Sequence, residues 1–423
     1  MTEQHDVVIV GAGLAGLAAA RQLAIHGVDV IVLESADDVG GRVRSDRVDG
    51  LILDRGFQLY NPAYPEAARV LDHGALDLRA FSPGVIAMTD RGPTRLGDPR
   101  RVPRWATDAL SSRSGRLPGK LRFARYAWQA ARLGRAERES RDDMPADVAL
   151  LSAGVDPVLL ETVVRPFLSG VFLEDRLATS RRFMDLVLTS FVKGSPSVPA
   201  RGMQAIPEQL RDALPPGTVR CRTTVRSVDD GLVHTHEGTL RARAVIVATD
   251  PRAAGELLPG LPVPEGRDVT TWYYLADAAP ALLTGGDPVL VVDGRSAVRR
   301  GPVVNTVALT HAAPTYASDG RVLVSASALG LHGGTGMETV VREHLAQLYG
   351  VGTRTWQHVA TYPVPYALPA MLPPLQVRQP VALGEWLFVA GDHRDTASIQ
   401  GAMVSGRRAA DAALRHLGKQ PVG

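Results

Sequence analysis

A glycine-rich run near the start of the chain has the composition and spacing of a phosphate-binding turn. Residues 11–16 read GAGLAG, which is the GxGxxG pattern of dinucleotide-binding units. The first glycine permits a tight turn, the second lets the backbone approach a pyrophosphate, and the third allows close packing of helix on strand. The N-terminus of that helix offers unpaired N–H groups and a partial positive charge. The residues expected to form this diphosphate site are Gly11, Gly13, Leu14, Ala15 and Gly16.

An acidic residue follows at the spacing that such a unit needs. Glu34 ends the next apolar run, 18 residues after Gly16, and Ser35 comes directly behind it. A carboxylate at this position can accept hydrogen bonds from both hydroxyls of a ribose, and it would repel a 2′-phosphate. The sequence therefore predicts a dinucleotide whose ribose carries free hydroxyls.

Four further segments extend the pattern beyond a single turn. Residues 39–43 read VGGRV and residues 53–58 read LDRGFQ, whereas near the C-terminus residues 387–392 read LFVAGD and residues 397–403 read ASIQGAM. In this order the segments resemble those of the flavin amine oxidase, phytoene desaturase and protoporphyrinogen oxidase superfamily. The resemblance extends over nearly the whole chain. It implies an FAD-dependent oxidoreductase rather than a nicotinamide enzyme.

The resemblance also implies a role for each segment. In the family the glycine pair and the arginine contact the diphosphate, the LDRGFQ segment passes the flavin ring, and a later strand meets the adenine. Asp392 would bond a hydroxyl near the phosphates, and the helix beginning near Gly401 would point its N-terminus at the flavin. The implied contacts beyond the first turn are Glu34, Ser35, Gly40, Gly41, Arg42, Gly56, Phe57, Gln58, Val225, Ala248, Thr249, Gly391, Asp392, Ser398, Ile399, Gln400 and Ala402.

The FAD is expected to be bound without a covalent link. No family attachment pattern stands near the flavin segments, and the single cysteine, Cys221, lies far along the chain from the C-terminal motif. One cysteine also excludes an intrachain disulfide and any metal site built from several cysteines. No metal is expected.

The absence of one residue type bears on the reaction. Many amine oxidases of the superfamily carry a lysine that bonds through water to the flavin N5, but residues 194–418 contain no lysine. This favours hydride transfer from an apolar or aromatic substrate, as in phytoene desaturases and protoporphyrinogen oxidases. Amine oxidation with release of hydrogen peroxide is the alternative. A prenyl-binding chaperone of the same fold is a third hypothesis, which the intact nucleotide motifs disfavour.

No acid–base pair stands out in the sequence, so the catalytic residues are open. Tyr362 and Tyr366 precede the C-terminal motif, where the family places aromatic walls over the flavin, and His393 lies inside that motif. These three are the candidates. A second glycine-rich run at residues 330–336 has the wrong spacing for a nicotinamide nucleotide. The electrons are therefore expected to pass to oxygen, to a quinone-like acceptor, or back to the substrate.

Short apolar runs indicate the elements that position these residues. The runs at Val7–Val10, Val28–Leu33 and Ala244–Ala248 are continuous in Val, Ile and Ala, which is typical of parallel strands buried on both faces. The stretch Leu14–His26 predicts a helix between the first two. We expect an α/β fold in which a three-segment Rossmann-like FAD-binding domain carries an inserted α+β substrate domain. The expected division assigns residues 1–75, 199–255 and 382–418 to the FAD-binding domain and residues 76–198 and 256–381 to the substrate-binding domain.

Composition limits the partners and the location. The chain has 423 residues, a net charge of +3 and 45% hydrophobic residues, which is ordinary for a globular protein and gives no argument for nucleic acid. The N-terminus enters a strand at once, and no apolar run is long enough to span a bilayer. We expect a cytoplasmic enzyme of a small-molecule substrate; the oligomeric state is open.

One stretch departs from this average. Residues 100–141 contain twelve basic residues against three acidic ones, Asp108, Glu137 and Glu139. Such a basic amphipathic helix suits the surface of an anionic membrane. The alternative, which the sequence favours, is a lid helix that packs on its own domain and whose arginines are solvated. The expected apolar face consists of Leu117, Leu121, Ala124, Trp128 and Ala131, and the expected polar face of Arg122, Arg125, Gln129 and Arg132.

Overall fold

Two seven-stranded sheets organise the chain in a computed structural model that describes residues 3–98 and 100–421. The strands are β1 (Glu3–Val10), β2 (Val30–Leu33), β3 (Ser45–Val48), β4 (Leu51–Asp54), β5 (Leu78–Ala80), β6 (Gly84–Thr89), β7 (Gly92–Gly97), β8 (Ser197–Pro199), β9 (Val219–Arg220), β10 (Val225–Asp229), β11 (Leu232–Thr235), β12 (Thr239–Val247), β13 (Gly266–Ala276), β14 (Leu290–Asp293), β15 (Val303–Ala308), β16 (Val322–Leu329), β17 (Gln357–Pro369) and β18 (Leu387–Val389).

Helices cover both sheets and form a separate layer between residues 103 and 193. The α-helices are α1 (Leu14–Ala24), α2 (Pro65–Val70), α3 (His73–Leu76), α4 (Ala106–Leu110), α5 (Leu117–Arg132), α6 (Arg135–Ser140), α7 (Ala146–Ser152), α8 (Pro157–Leu159), α9 (Arg165–Phe172), α10 (Arg181–Lys193), α11 (Ala205–Asp212), α12 (Pro251–Leu257), α13 (Pro280–Thr284), α14 (Leu309–Ala312), α15 (Thr335–Tyr349) and α16 (Ile399–His416). A π-helical turn, Leu160–Val164, leads into α9.

The first sheet is the Rossmann-like sheet that the apolar runs predict. Its order is β10-β11-β12-β1-β2-β9, and β18 also pairs with β12. Strand β1 runs parallel to both β2 and β12, and β18 runs parallel to β12. The strands come from three separate parts of the chain, because β1 and β2 lie near the start, β9 to β12 in the middle and β18 near the end. The predicted Rossmann-like fold assembled from three segments is confirmed.

The second sheet has the order β17-β13-β16-β15-β14-β6-β7 and is antiparallel except where β14 meets β6. None of its strands belongs to the three apolar runs from which the sequence predicts buried parallel strands. Strand β17 contains Pro363, Pro365 and Pro369, which disfavour a strand because proline lacks a backbone N–H. The edge position of β17 explains why these prolines are tolerated.

A close helix–helix contact joins the two ends of the chain. Helix α16 packs across α1, and a Cβ atom added to Gly406 would stand 2.1 Å from the carbonyl oxygen of Ala15. Only glycine permits this approach. Helix α1 follows the carboxyl end of β1 and helix α16 follows that of β18, so both helices begin at the edge of the sheet where open α/β folds bind ligands.

One face of helix α5 packs on the rest of the chain, against α10 and, at Gly119, against Asp156. That face contains Gly119, Tyr126 and Ala130, and the hydroxyl of Tyr126 donates a hydrogen bond to Asp185 Oδ1 at 2.9 Å. Of the expected apolar face, Ala131 is buried, but Leu117, Leu121, Ala124 and Trp128 are exposed. The helix is thus both packed on its own chain and apolar on its solvent side.

The division into two domains remains a proposal, with the residue bounds expected from the sequence. Within residues 3–98 and 100–421, no helix is both long and apolar enough to cross a bilayer. The same residues contain no cluster of three or more His, Cys, Asp or Glu side chains that could hold a metal ion.

Candidate functional site

A large cavity lies where the two sheets and the helical layer meet. Its volume is about 1120 Å³. We call one part of it the nucleotide half, whose lining residues fall within 10–43, 223–257 and 391–404. The substrate half is lined by residues 55–65, 133–196 and 290–368. Every cofactor contact expected from the sequence lines this cavity except Gly16.

The glycine turn forms a cradle of backbone at the N-terminus of α1. A Cβ atom added to Gly13 would meet no atom within 4 Å, because that side of the residue faces the cavity. Gly40 donates its N–H to the carbonyl oxygen of Ala12 at 2.9 Å, which brings the second glycine pair beside the first turn. Gly16 instead packs inward, since an added Cβ would stand 1.9 Å from the Gly11 oxygen. Backbone N–H groups thus face open space that suits a diphosphate.

The carboxylate of Glu34 is fixed by two backbone donors. Its Oε2 accepts from Ala12 N at 2.7 Å and its Oε1 from Ala36 N at 2.9 Å. The backbone of Thr223 donates to the Glu34 carbonyl oxygen at 2.8 Å, which places the start of β10 beside it. Val225 lines the cavity there. A ribose and an adenine fit this arrangement of carboxylate and strand.

An ion pair joins the N-terminal and C-terminal cofactor segments. Arg42 Nη2 donates to Asp392 Oδ1 at 2.7 Å, and Arg42 Nη1 donates to the carbonyl oxygen of Ala367 at 2.9 Å. Burial acts to lower the pKa of Arg42, but the adjacent Asp392 carboxylate holds that pKa above its usual value. The guanidinium therefore stays charged between three chain segments at the edge of the nucleotide half.

The N-terminus of α16 forms the next part of the wall. Ser398 caps the helix by accepting from Gly401 N at 3.0 Å, so its hydroxyl is already engaged. Gln400 accepts from Glu66 N at 3.0 Å and thereby ties α2 to this end of α16. Ile399 and Ala402 present their side chains to the cavity.

A buried carboxyl group anchors the segment that the sequence assigns to the flavin ring. Asp54 accepts from Ser45 Oγ at 2.6 Å, from Met203 N at 2.9 Å and from the Tyr316 hydroxyl at 2.8 Å. Burial raises the pKa of Asp54. This carboxyl group does not face the cavity; it fixes the start of the loop that carries Gly56, Phe57 and Gln58 into the cavity wall.

The substrate half is lined mainly by apolar and aromatic side chains. They come from the loop after β4, from α9 and α10, and from β14 and β17. These side chains are Phe57, Leu59, Tyr60, Tyr64, Leu133, Phe167, Val171, Leu173, Phe183, Leu186, Val187, Phe191, Leu290, Val364 and Leu368. Among the described residues that line this half, the only carboxylate is Glu139, which accepts from Arg135 at 2.8 Å.

Two of the polar residues in this half come from the second sheet. Ser327 shares a hydrogen bond of 3.0 Å with Thr271, which in turn accepts from Phe57 N at 3.3 Å. Asn305 is buried and lines the cavity, and its Oδ1 has no hydrogen-bond partner among the described residues. A buried amide oxygen without a partner is costly, so Asn305 holds an unused hydrogen-bond acceptor in the wall of the cavity.

The mouth of the cavity is polar and basic. Arg135, which is exposed, and Arg138 follow α5 directly, and the charge of Arg135 acts on Asp395, which pairs with Arg378. Burial raises the pKa of Asp395 to about 6, against the effect of Arg408 and Arg378.

The three candidate catalytic residues do not line the cavity. Tyr362 donates its hydroxyl to Asp46 Oδ2 at 2.9 Å, and Tyr366 donates to the carbonyl oxygen of Pro264. His393 is buried behind Gly391, and neither of its ring nitrogens has a hydrogen-bond partner among the described residues. The sequence places all three near the motif correctly, but it does not show which way the side chains point.

Comparison with known proteins agrees with this architecture. The model of the family described as flavin containing amine oxidoreductase matches residues 14–414. The chain belongs to this family. It is an FAD-dependent oxidoreductase, as its motifs predict. The expected α/β fold and FAD as the cofactor are confirmed.

Its relatives divide into short and full-length matches. Putrescine oxidase from Kocuria rosea is 47% identical, but over 18% of this chain and 16% of that protein. Hydroxysqualene dehydroxylase from Rhodopseudomonas palustris is 28% identical over 96% of this chain and 98% of that protein. The chain spans about a quarter or less of the length of the first curated relatives it matches. A solved structure of a putrescine oxidase triple mutant shares the fold, with a TM-score of 0.73, 19% identity and coverage of 98% of this chain and 100% of that one.

Sequence reasoning missed most of the substrate half. Residues 165–172, which read RPFLSGVF, loosely resemble the substrate domain of the family, and Phe167, Gly170 and Val171 among them line the cavity. That match was the one available signal. Asn305 and Ser327 lie inside ordinary-looking strands, and only the sheet order brings them to one wall.

Proposed function

We propose that this enzyme transfers a hydride from an apolar or aromatic organic molecule to its flavin, in the manner of a phytoene desaturase or a protoporphyrinogen oxidase. The observation that carries the proposal is the substrate half itself, with apolar side chains from three parts of the chain and one carboxylate already paired at its mouth. A pocket of this kind favours a ligand with a large apolar body. The full-length similarity to hydroxysqualene dehydroxylase, which is named for an apolar alcohol, supports an apolar substrate.

We propose that the nucleotide half holds FAD without a covalent link. Gly13, Gly41 and Arg42 would hold the diphosphate, Glu34 the ribose and Val225 the adenine. The remaining expected contacts, from Gly56 to Gln58 and from Ser398 to Ala402, would border the flavin. Cys221 supports non-covalent binding, because it lies beside Glu34 and Asp38 rather than near the C-terminal motif.

Bound FAD supplies the two-electron acceptor of the reaction. The chain itself contributes position and a dry environment. Phe167, Val171 and Phe191 exclude water from the substrate half, and Asn305 offers the buried hydrogen bond that orients a polar group of the substrate. Such a reaction depends on proximity rather than on an acid–base pair.

Amine oxidation is the second candidate, and its support is the short, strong match to putrescine oxidase. A polyamine carries several positive charges. The described residues of the substrate half include Lys193, Arg135 and Arg138 but only one carboxylate, so the local charge opposes such a ligand.

Anaerobic reduction of the bound flavin distinguishes the two candidates. The FAD-loaded protein is mixed without oxygen with a panel of polyisoprene alcohols and hydrocarbons, tetrapyrroles and amines, and the loss of the yellow absorbance is followed. We expect bleaching by a member of the apolar classes and none by putrescine or other amines. Bleaching by amines alone would overturn the proposal, and oxygen consumption with peroxide release would then identify an amine oxidase.

Two matched variants sharpen the same experiment. Asn305→Leu removes the buried amide while keeping the volume similar, and Asn305→Asp keeps a polar group. We expect the first to slow bleaching by an alcohol more than bleaching by the corresponding hydrocarbon. Equal slowing for both would mean that Asn305 does not contact the substrate.

A further inference from the structure

The solvent side of α5 is an apolar stripe, which is unusual for a helix that already packs on its own chain. Leu117, Leu121, Ala124 and Trp128 recur at helical spacing and so share one side. Leu121 is 60% exposed, and Leu117 and Trp128 are each 44% exposed. The packed face, with Gly119, Tyr126 and Ala130, lies on the opposite side.

The charges around this stripe are of one sign. Between Asp108 and Glu137 the sequence contains seven basic residues and no acidic one. Arg125 and Arg132 lie directly beside the stripe, and the Arg132 guanidinium rests 3.4 Å from the centre of the Trp128 ring. Within the described residues, none of the arginines 113, 116, 122, 125 and 132 forms an ion pair with a carboxylate. Their charge is therefore available to an anionic surface.

Neighbouring segments also expose apolar side chains. Leu110, which is 68% exposed, ends α4 just before α5. Arg122 donates to the carbonyl oxygen of Gly154 at 3.3 Å, so the turn between α7 and α8 lies against the packed side of α5. The apolar patch is therefore the stripe on α5 itself, and an apolar patch flanked by uncompensated arginines has the composition of a membrane-surface helix rather than of a solvated one.

The patch is continuous with the mouth of the cavity. Leu133, Arg135 and Arg138 follow α5 without interruption, and all three line the cavity. Helix α10, on which α5 packs, supplies Phe183, Leu186 and other apolar residues to the substrate half. A surface seated against this patch would therefore meet the entrance of the apolar cavity.

We propose that α5 and its flanking turns dock the protein on the surface of an anionic phospholipid bilayer. Leu110, Leu117, Leu121 and Trp128 enter the boundary between headgroups and acyl chains, and the arginines beside them contact the lipid phosphates. The protein lies on the bilayer and does not span it. The inference does not depend on which substrate the enzyme uses.

Vesicle binding by the intact, FAD-loaded protein tests this directly. Flotation is compared between vesicles of phosphatidylcholine with phosphatidylglycerol and vesicles of phosphatidylcholine alone, at low and at physiological salt. We expect binding to the anionic vesicles to exceed binding to the neutral ones by about tenfold or more, and to weaken as salt rises. All five tryptophans lie in the described residues, and Trp128 is the one that is exposed. Its fluorescence emission should therefore shift to the blue when the protein binds the anionic vesicles.

Matched variants locate the surface. Leu121→Ser with Trp128→Ser should reduce binding by about tenfold or more, whereas Val298→Ser, at a 93% exposed apolar residue elsewhere, should leave it unchanged. The double variant Arg125→Gln, Arg132→Gln should also weaken binding at low salt. The control is the double variant Arg354→Gln, Arg415→Gln, which removes the same charge at exposed positions away from the patch and should leave binding unchanged. Equal flavin content and melting temperature in all variants shows that folding is intact.

Several results would overturn the inference. They are binding to neither type of vesicle, equal binding to both types, and binding that the α5 variants leave unchanged. A dimer that Trp128→Ser dissociates would show instead that a second copy covers the patch. Duplex DNA that competes for the same arginines at physiological salt would show a nucleic-acid surface.

Discussion

The two halves of the cavity are built in different ways. The nucleotide half is made of backbone and of fixed polar groups, since Glu34 is held by two N–H donors and Arg42 by Asp392 and a carbonyl oxygen. The substrate half is made of side chains, and among its described residues Asn305 is the one with a buried oxygen that lacks a partner. The first half is thus specified by short local motifs, and the second by how distant elements pack. This difference suggests that FAD binding and substrate choice can be altered separately.

The largest effect is expected in the backbone cradle. Gly13→Val places a side chain in the space that faces the cavity, so the Kd for FAD should rise by roughly a thousandfold, or about 4 kcal/mol. Titration of flavin-free protein with FAD measures this. Gly333→Val is the control, because an added Cβ there also meets nothing within 4 Å but Gly333 does not line the cavity. A Gly13 variant that binds FAD normally would break the distinction between the halves.

The next effect concerns the ion pair that joins the chain ends. Arg42→Ala leaves the Asp392 carboxylate buried without its partner, which should cost about 3 kcal/mol of unfolding free energy. Urea unfolding of FAD-loaded and FAD-free protein measures it. The exposed pair of Arg220 and Glu3 is the control, since Arg220→Ala should cost less than about 1 kcal/mol. Similar costs for both variants would mean that Arg42 is not a structural link.

A pH effect should appear behind the nucleotide half. Burial lowers the pKa of His393 to about 4, so the unfolded chain binds a proton more readily than the folded one between that value and about 6.5. This histidine stabilises the fold fully above about pH 6.5, and its contribution falls as the pH falls toward 4. Between pH 7.5 and pH 5 the wild type should lose about 2 kcal/mol more than His393→Gln does. Denaturation curves at the two pH values measure the difference, and parallel losses would contradict it.

The smallest expected effect is that of Asn305→Leu, which should alter catalysis without altering FAD binding. Asn305→Leu should lower kcat/KM for a substrate with a hydroxyl group by about tenfold, or about 1.4 kcal/mol. The Kd for FAD should change by no more than about twofold. Steady-state kinetics with an alcohol and its hydrocarbon analogue, together with an FAD titration, gives both values. A variant that loses FAD would show that the two halves are coupled.

The same contrast explains what the sequence could predict. Gly11 to Gly16 and Glu34 act within one βαβ unit, so their spacing alone indicates the turn, the carboxylate and the ligand. Tyr362 and Tyr366 lie on an edge strand with three prolines, and Tyr366 has a positive φ of 54°, so simple alternation does not tell which face they occupy. Asn305 meets Gly170 only because β15 and α9 pack together, which no local pattern encodes.

Helix α5 is a second case in which the sequence predicts a pattern but not the packing. The helical period correctly predicts one apolar side and one arginine-rich side. It does not show which side is packed, because both the lid and the membrane hypothesis use the same pattern. The packing of Gly119 against Asp156 and of Tyr126 against Asp185 decides the orientation.

The most direct test of the central claim is the electron density of the FAD-loaded protein in a crystal. The claim is that one cavity holds the nucleotide at its backbone-lined half and the substrate at its apolar half. We predict adenosine density beside Glu34 and Val225, diphosphate density over Gly13 and Gly41, and the isoalloxazine ring at the border with the substrate half. Density that leaves Glu34 without a partner, or that fills the space around Phe167 and Asn305 with the adenosine, would contradict the account.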